Sequence, residues 1–174
     1  MATDGDRFRQ AVTEAANRAE VTALLIRYGY RVYRPEADIE GEDLVVRAPD
    51  GVRMPARQLR AVQLKGRPLV DWHRYGGREL WMLFPSTPYD ASTPRTWFVL
   101  PHDTFFAWVK DRHGAAPKWA EAWTYPSVSK ALADFLAEWE LRPALDMSRA
   151  NRFVYSGGGT IHRADGTEID LSDD

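Results

Sequence analysis

A chain of 174 residues, 44% of them apolar, is the size of one ordinary domain and can bury a core without covalent staples. It contains no cysteine, which excludes disulfides and thiolate metal sites. The formal net charge of −2 excludes a uniformly basic nucleic-acid binder, but the charge is unevenly spread. Val52 to Arg78 carries seven basic residues (Arg53, Arg57, Arg60, Lys65, Arg67, Arg74 and Arg78) against the single acid Asp71, whereas Ala164 to Asp174 carries five acids and no base. No apolar run approaches the length of a membrane span, and Met1 to Gln10 is polar and carries acids, unlike a secretory signal or transit peptide. A cytoplasmic protein with no membrane partner is expected.

In chain order, Asp6 to Tyr28 reads as a helix, with Phe8, Val12, Ala15, Ala16, Ala19, Ala23 and Ile26 at helical spacing and Gly29 as its stop. Tyr30 to Tyr33, Glu42 to Arg47 and Arg60 to Lys65 read as strands, the last two as a hairpin with a long connection that contains Pro49-Asp50-Gly51. Glu36, Asp38, Glu40 and Glu42 form an acid run before the second strand, expected to be a solvated loop. Asp71-Trp72-His73-Arg74-Tyr75 reads as a surface loop, although aromatic and arginine side chains also stack on unpaired bases. Glu79 to Phe84 and Thr96 to Leu100 are two apolar strands joined by a Pro, Ser and Thr-rich loop.

Asp103 to Lys110 reads as a helix capped by His102 or Asp103, Pro117 to Trp123 as a short helix, and Val128 to Leu141 as a longer one. Trp97, Trp108, Trp119, Trp123 and Trp139 have apolar neighbours and are expected in the core. Thr160 to Arg163 and Thr167 to Leu171 are expected to pair across Asp165-Gly166. The order predicts an α/β fold, with a mixed sheet flanked by helices and a C-terminal helix and hairpin extension.

Side chains alternate faces along a strand, so Gln63 and Lys65 share one face while Val62 and Leu64 take the other. Asp43 opens the neighbouring strand, within reach of Gln63. A carboxylate and an amide oxygen are hard ligands suited to Mg²⁺, which keeps several waters and also takes substrate phosphate. The lysine suits a phosphate or the negative charge that develops in a transition state. Asp43 as a strand-start residue bonding a nearby turn, and Lys65 as the guard of an edge strand, are the plain structural alternatives. His102, His113 and His162 have no metal-ligand spacing.

Gly41-Glu42-Asp43-Leu44-Val45-Val46 followed by Val62-Gln63-Leu64-Lys65-Gly66 resembles the PD-(D/E)XK, or restriction-endonuclease-like, nuclease superfamily. The Gln-x-Lys form is most similar to the Mrr-type restriction endonucleases, as is the helix end Leu24-Leu25-Ile26-Arg27-Tyr28-Gly29-Tyr30. The resemblance covers about residues 6–110. It implies a nuclease-like domain over 1–151, with 152–174 as a C-terminal hairpin and acidic tail.

It further implies a divalent metal, Mg²⁺ or Mn²⁺, held by Asp43, Gln63 and the main-chain carbonyl of Leu64, with Lys65 in catalysis. The family's helix acid falls at or near Arg18. Glu20, at the border of the apolar stripe, is assigned that role; Glu14, one turn before Arg18 on its face, is the alternative. The implied function is metal-dependent hydrolysis of phosphodiester bonds, in DNA, in a defence, restriction or repair context. Arg53, Arg57, Arg60, Arg67, Arg74 and Arg78 would contact the nucleic-acid backbone, and a homodimer is plausible for such a domain. The alternative function is a catalytically inactive relative that binds nucleic acid or a protein.

Overall fold

The computed structural model describes residues 4–35, 42–90 and 92–143, together with short strands at 154–156, 160–162 and 168–170. Helix α1 (Asp4–Arg27) opens the chain. It ends in a Schellman turn: Gly29 takes a φ of 88°, Tyr30 N–H donates to Leu25 O at 3.0 Å and Gly29 N–H to Ile26 O at 3.0 Å. Asn17, Val21 and Leu25, spaced by four, form its buried face.

The expected stripe is therefore on the wrong side of the helix. Phe8 is 71% exposed, and Val12 and Ile26 are exposed as well. The alanines in that stripe bury little area and do not hold a helix against a sheet. Val21 and Leu25, with more surface to lose, decide the rotation.

Strands β1 (Arg31–Tyr33), β2 (Leu44–Arg47) and β3 (Leu59–Leu64) form an antiparallel meander. After β3 come β4 (Leu69–Asp71) and the single turn α2 (Trp72–Tyr75). The chain then returns as β5 (Trp81–Pro85), parallel to β3, and β6 (Trp97–Pro101), antiparallel to β5. The sheet order is β1-β2-β3-β5-β6, so β3 is central rather than an edge strand. Helices α3 (His102–His113) and α4 (Lys130–Leu136) follow, the latter continued by a 3₁₀ turn at Ala137–Trp139.

The chain is thus mixed α/β, with a mostly antiparallel sheet between helices. Val21 and Leu25 of α1 pack with Leu44, Val46, Val62 and Leu83 on one face. Phe105 and Val109 of α3 and Leu132 and Leu136 of α4 pack with Met82, Phe84 and Leu100 on the other. Covered on both faces, β5 is buried from end to end, the pattern of a continuous apolar run.

Several expectations are corrected. Asp71 to Tyr75 is not a loop: Asp71 ends β4 and caps α2, its carboxylate accepting Arg74 N–H at 3.1 Å. Pro117 to Trp123 is not a helix. Its end joins β7 (Ala122–Thr124), which pairs with β4, and Trp72 N–H to Glu121 O (2.8 Å) and Tyr125 N–H to Pro68 O (2.9 Å) extend that pairing. Trp123 stacks on His113 at 4.2 Å, so an extended backbone suits it.

No side-chain cap bond starts α3, because the helix begins at His102 and its cap position falls on Pro101, so the two residues expected to cap it lie in its first turn and bond elsewhere. Asp103 accepts Gly77 N–H at 3.1 Å, and His102 bonds Asp103 and Asp71. Trp97 is buried, and Trp108, Trp119, Trp123 and Trp139 pack half-buried against the core. At the C-terminus β9 (Thr160–His162) pairs with β10 (Glu168–Asp170) as expected, and β8 (Val154–Ser156) adds a third strand on β9. The Asp165-Gly166 turn, Gly157-Gly158-Gly159, and Glu36, Asp38 and Glu40 lie outside the described residues. Among the described residues no helix is long and apolar enough to cross a membrane.

His102 is fully buried; its Nε2 accepts Asp71 N–H at 3.2 Å and its Nδ1 lies 3.0 Å from Asp103 Oδ1. Burial holds its pKa below the ordinary 6.5 against the opposing pull of Asp103. The unfolded chain therefore binds the proton first. The neutral ring's contribution to stability is complete above pH 6.5 and falls as pH drops toward the depressed folded value. Melting temperatures are expected to be level above neutrality and to decline on mild acidification. His102→Gln, which keeps an acceptor for Asp71 N–H, should flatten that decline; an unchanged slope would locate the acid sensitivity elsewhere.

Candidate functional site

Extending the β2–β3 register by one residue sets Asp43 opposite Gln63. Asp43 N–H donates to Val62 O at 3.0 Å, so the ladder still holds there. The Asp43 carboxylate then takes over from the backbone: Oδ2 accepts Leu64 N–H at 2.8 Å and the Gln63 amide through a short contact. Its other oxygen faces Arg18 of α1, with Nη2 3.4 Å from Oδ1. With Nε2 turned to the carboxylate, Gln63 Oε1 is buried and has no hydrogen-bond partner. Leaving such an oxygen unpaired costs about 1–3 kcal/mol, and a water or cation would relieve it.

Lys65 follows the end of β3 and is held by its N–H to Leu83 O of β5 at 2.8 Å. Its Nζ lies 5.4 Å from the centre of the buried Tyr75 ring, and the Arg74 guanidinium lies 5.2 Å from the same ring. Tyr75 thus sets the positions of two cations. Glu14, Asn17, Arg18, Asp43, Gln63, Lys65 and Arg74 border a cleft of about 340 Å³. It holds three cations and two acids, an arrangement suited to a phosphate group.

The structure brings Asp43, Gln63, Leu64 and Lys65 together but puts Glu20 elsewhere. Glu20 accepts Trp97 Nε1–H at 2.9 Å and forms a short ion pair with Arg95. The Arg95 side chain is 1% exposed; it also donates to Asn17 Oδ1 at 2.8 Å and lies about 5 Å from the Trp97 ring centre. The assignment of Glu20 to the site is therefore corrected. The helix acid that borders the cleft is Glu14, exposed and bonded by Gln10 at 2.8 Å. The apolar stripe points to Glu20, but the helix buries its Asn17, Val21 and Leu25 face instead.

The basic run does not form one patch. Arg74 joins Lys65, while Arg53 pairs with Glu138 at 2.5 Å, Arg57 with Asp50 at 3.2 Å and Arg60 with Glu79 at 3.4 Å. Arg67 and Arg78 are exposed. The sequence reading did not assign site roles to Arg18, Asn17 or Tyr75. The polar trio Glu14, Asn17 and Arg18, on one helical face among apolar positions, was the available signal.

Asp43, Gln63 and the Leu64 carbonyl offer hard oxygen donors, but Gln63 Nε2, not Oε1, faces both Asp43 Oδ2 and Leu64 O (3.4 Å), so the three would surround a cation only with the amide turned over. A turned amide would bring the unpartnered Gln63 oxygen to such a cation, and Arg18 balances Asp43. Among the described residues no group of three His, Cys, Asp or Glu side chains is placed to hold a metal. Comparisons of the chain with protein-family models, curated proteins and solved structures find no match.

Two stability effects follow. Asp43→Ala leaves Leu64 N–H and the Gln63 amide without their acceptor and should cost about 1–3 kcal/mol in urea unfolding, with Asp43→Asn costing less. Glu20→Ala strips the partner from a buried guanidinium. It should cost roughly 2–3 kcal/mol, at or below the low end for a broken buried pair because a third of Glu20 is exposed. Glu14→Ala should lie within about 0.5 kcal/mol of the parent, as exposed substitutions do. Equal effects for the two glutamates would contradict these separate placements.

Proposed function

We propose that this chain is a metal-dependent nuclease of the restriction-endonuclease-like class, hydrolysing phosphodiester bonds in DNA at the Asp43–Gln63–Lys65 cleft. The observation that carries the reading is the convergence of these strand-borne groups on one cleft, with the Gln63 carbonyl buried and unpartnered. The order of a lead-in helix, a strand headed by Asp43, a hairpin and a strand bearing Gln63-x-Lys65 supports it. Asp43, Gln63 and the Leu64 carbonyl would hold Mg²⁺ or Mn²⁺. Bound there, the cation would supply charge stabilisation at the phosphorus oxygens and a more acidic water.

The chain's own residues do the rest. Lys65 holds a phosphate oxygen and orients the attacking water, while Tyr75 keeps the ammonium in place. Arg74 takes a second phosphate oxygen. Arg18 balances the charge of Asp43 before substrate enters.

The Arg18–Asp43 contact favours one further reading, a non-catalytic relative that binds nucleic-acid phosphate or a protein partner through the same cleft. Metal titration separates the two. With Mn²⁺ a hundredfold above its dissociation constant, the nuclease should gain about 2.7 kcal/mol of stability. Asp43→Ala should abolish the gain. Lys65→Ala should keep it but lose at least about a hundredfold in DNA cleavage. Absence of both metal stabilisation and cleavage, with DNA still bound, would establish the non-catalytic reading.

A further inference from the structure

The two halves of the sheet are covered differently. On the face that carries Met82, Phe84 and Leu100, α3 and α4 pack over β5 and β6. The same face of β1 to β3 leaves large groups in solvent: Tyr33 is 46% exposed and Leu59 62%. Cross-strand partners project to one side, so the pairings Arg31↔Arg47, Arg47↔Leu59 and Tyr33↔Val45 set these residues on one surface. Tyr33, Arg34, Val45, Arg47, Arg57 and Leu59 border an open hollow of about 550 Å³.

Two arginines directly opposite in an antiparallel pair repel each other. Among the described residues, no carboxylate pairs with Arg31, Arg34 or Arg47. Among the described residues, the surface therefore combines guanidinium groups that have no carboxylate partner with an exposed tyrosine and leucine. An anion with planar apolar parts matches both features. Asp43, Gln63 and Lys65 lie on the same side of β2 and β3, and Leu59 to Lys65 spans about 20 Å at strand rise.

We propose that the uncovered face of β1 to β3 binds single-stranded nucleic acid, with Arg31, Arg34 and Arg47 on phosphates and Tyr33 stacked on a base, leading the strand toward the cleft. An unpaired strand is favoured over a duplex because only unstacked bases offer a face to Tyr33. The proposal rests on the reading that the cleft acts on nucleic acid, but it does not depend on cleavage.

Fluorescence anisotropy of the full chain with a fluorescein-labelled oligothymidylate, in EDTA and over a salt series, tests it. A hairpin duplex is the comparison ligand. Wild type should bind the single strand more tightly than the duplex. Arg31→Gln/Arg47→Gln should weaken binding at least tenfold and lower the salt slope by about 0.7 per arginine. Tyr33→Ala should weaken binding about fivefold or more with the slope unchanged. Arg31→Lys/Arg47→Lys, which keeps both charges, should stay within a few-fold of wild type. The double glutamine variant should melt no lower than wild type, since it removes a repulsive pair.

Unchanged binding in the glutamine and alanine variants would overturn the proposal, as would absence of wild-type binding. A dimer seen by light scattering and dissolved by the glutamine variant, without oligonucleotide binding, would overturn it in favour of a second copy of the chain. Mn²⁺-dependent cleavage lost in Lys65→Ala is read separately and would leave the cleft assignment standing in each case.

Discussion

The Asp43 carboxylate is the contact on which the rest of the cleft depends. It sits where β2 begins, accepts Leu64 N–H and the Gln63 amide, and faces Arg18. One side chain thus extends the ladder, fixes the direction of a buried amide and joins α1 to two strands. Because Gln63 Nε2 turns toward it, Gln63 Oε1 is left unpaired. An apolar residue at position 43 would strand a backbone donor and free the amide to turn. The open lone pair is therefore imposed by hydrogen-bond geometry at a strand end.

A second constraint sets the distance of α1 from the sheet. Arg95 is buried against Glu20, Asn17 and the Trp97 ring. A guanidinium in such a place requires its partners, so the helix is held in one rotation. Asn17 connects this network to the cleft: its oxygen serves Arg95, and a Cβ at Gly66 would lie 3.6 Å from its Nδ2. Glu14, Asn17 and Arg18 border the cleft while Glu20 is engaged behind it with Arg95 and Trp97.

What the sequence disclosed follows from the regularity of each element. Period-two alternation was enough to align Gln63 with Lys65 and to bring Asp43 beside them, since strand geometry leaves few choices. The rotation of α1 was not legible, because alanines lie on several sides of the helix and weigh little in packing. The run of bases from Arg53 to Arg78 was equally silent about Glu79 and Glu138, acids brought by the fold to Arg60 and Arg53. β7 was missed because three residues paired with a distant strand carry almost no local signal.

The parallel pairing of β3 with β5 orders events in time. Residues 4–64 contain α1 and the β1-β2-β3 meander, whose strand pairings are local and can form while the chain is still being made. Lys65 N–H must wait for Leu83, eighteen residues on and across the β4–α2 crossover. Asp43 and Gln63 can thus pair before Leu83 is available to fix the lysine beside them. The complete cleft therefore requires the non-local half of the sheet as well as the meander.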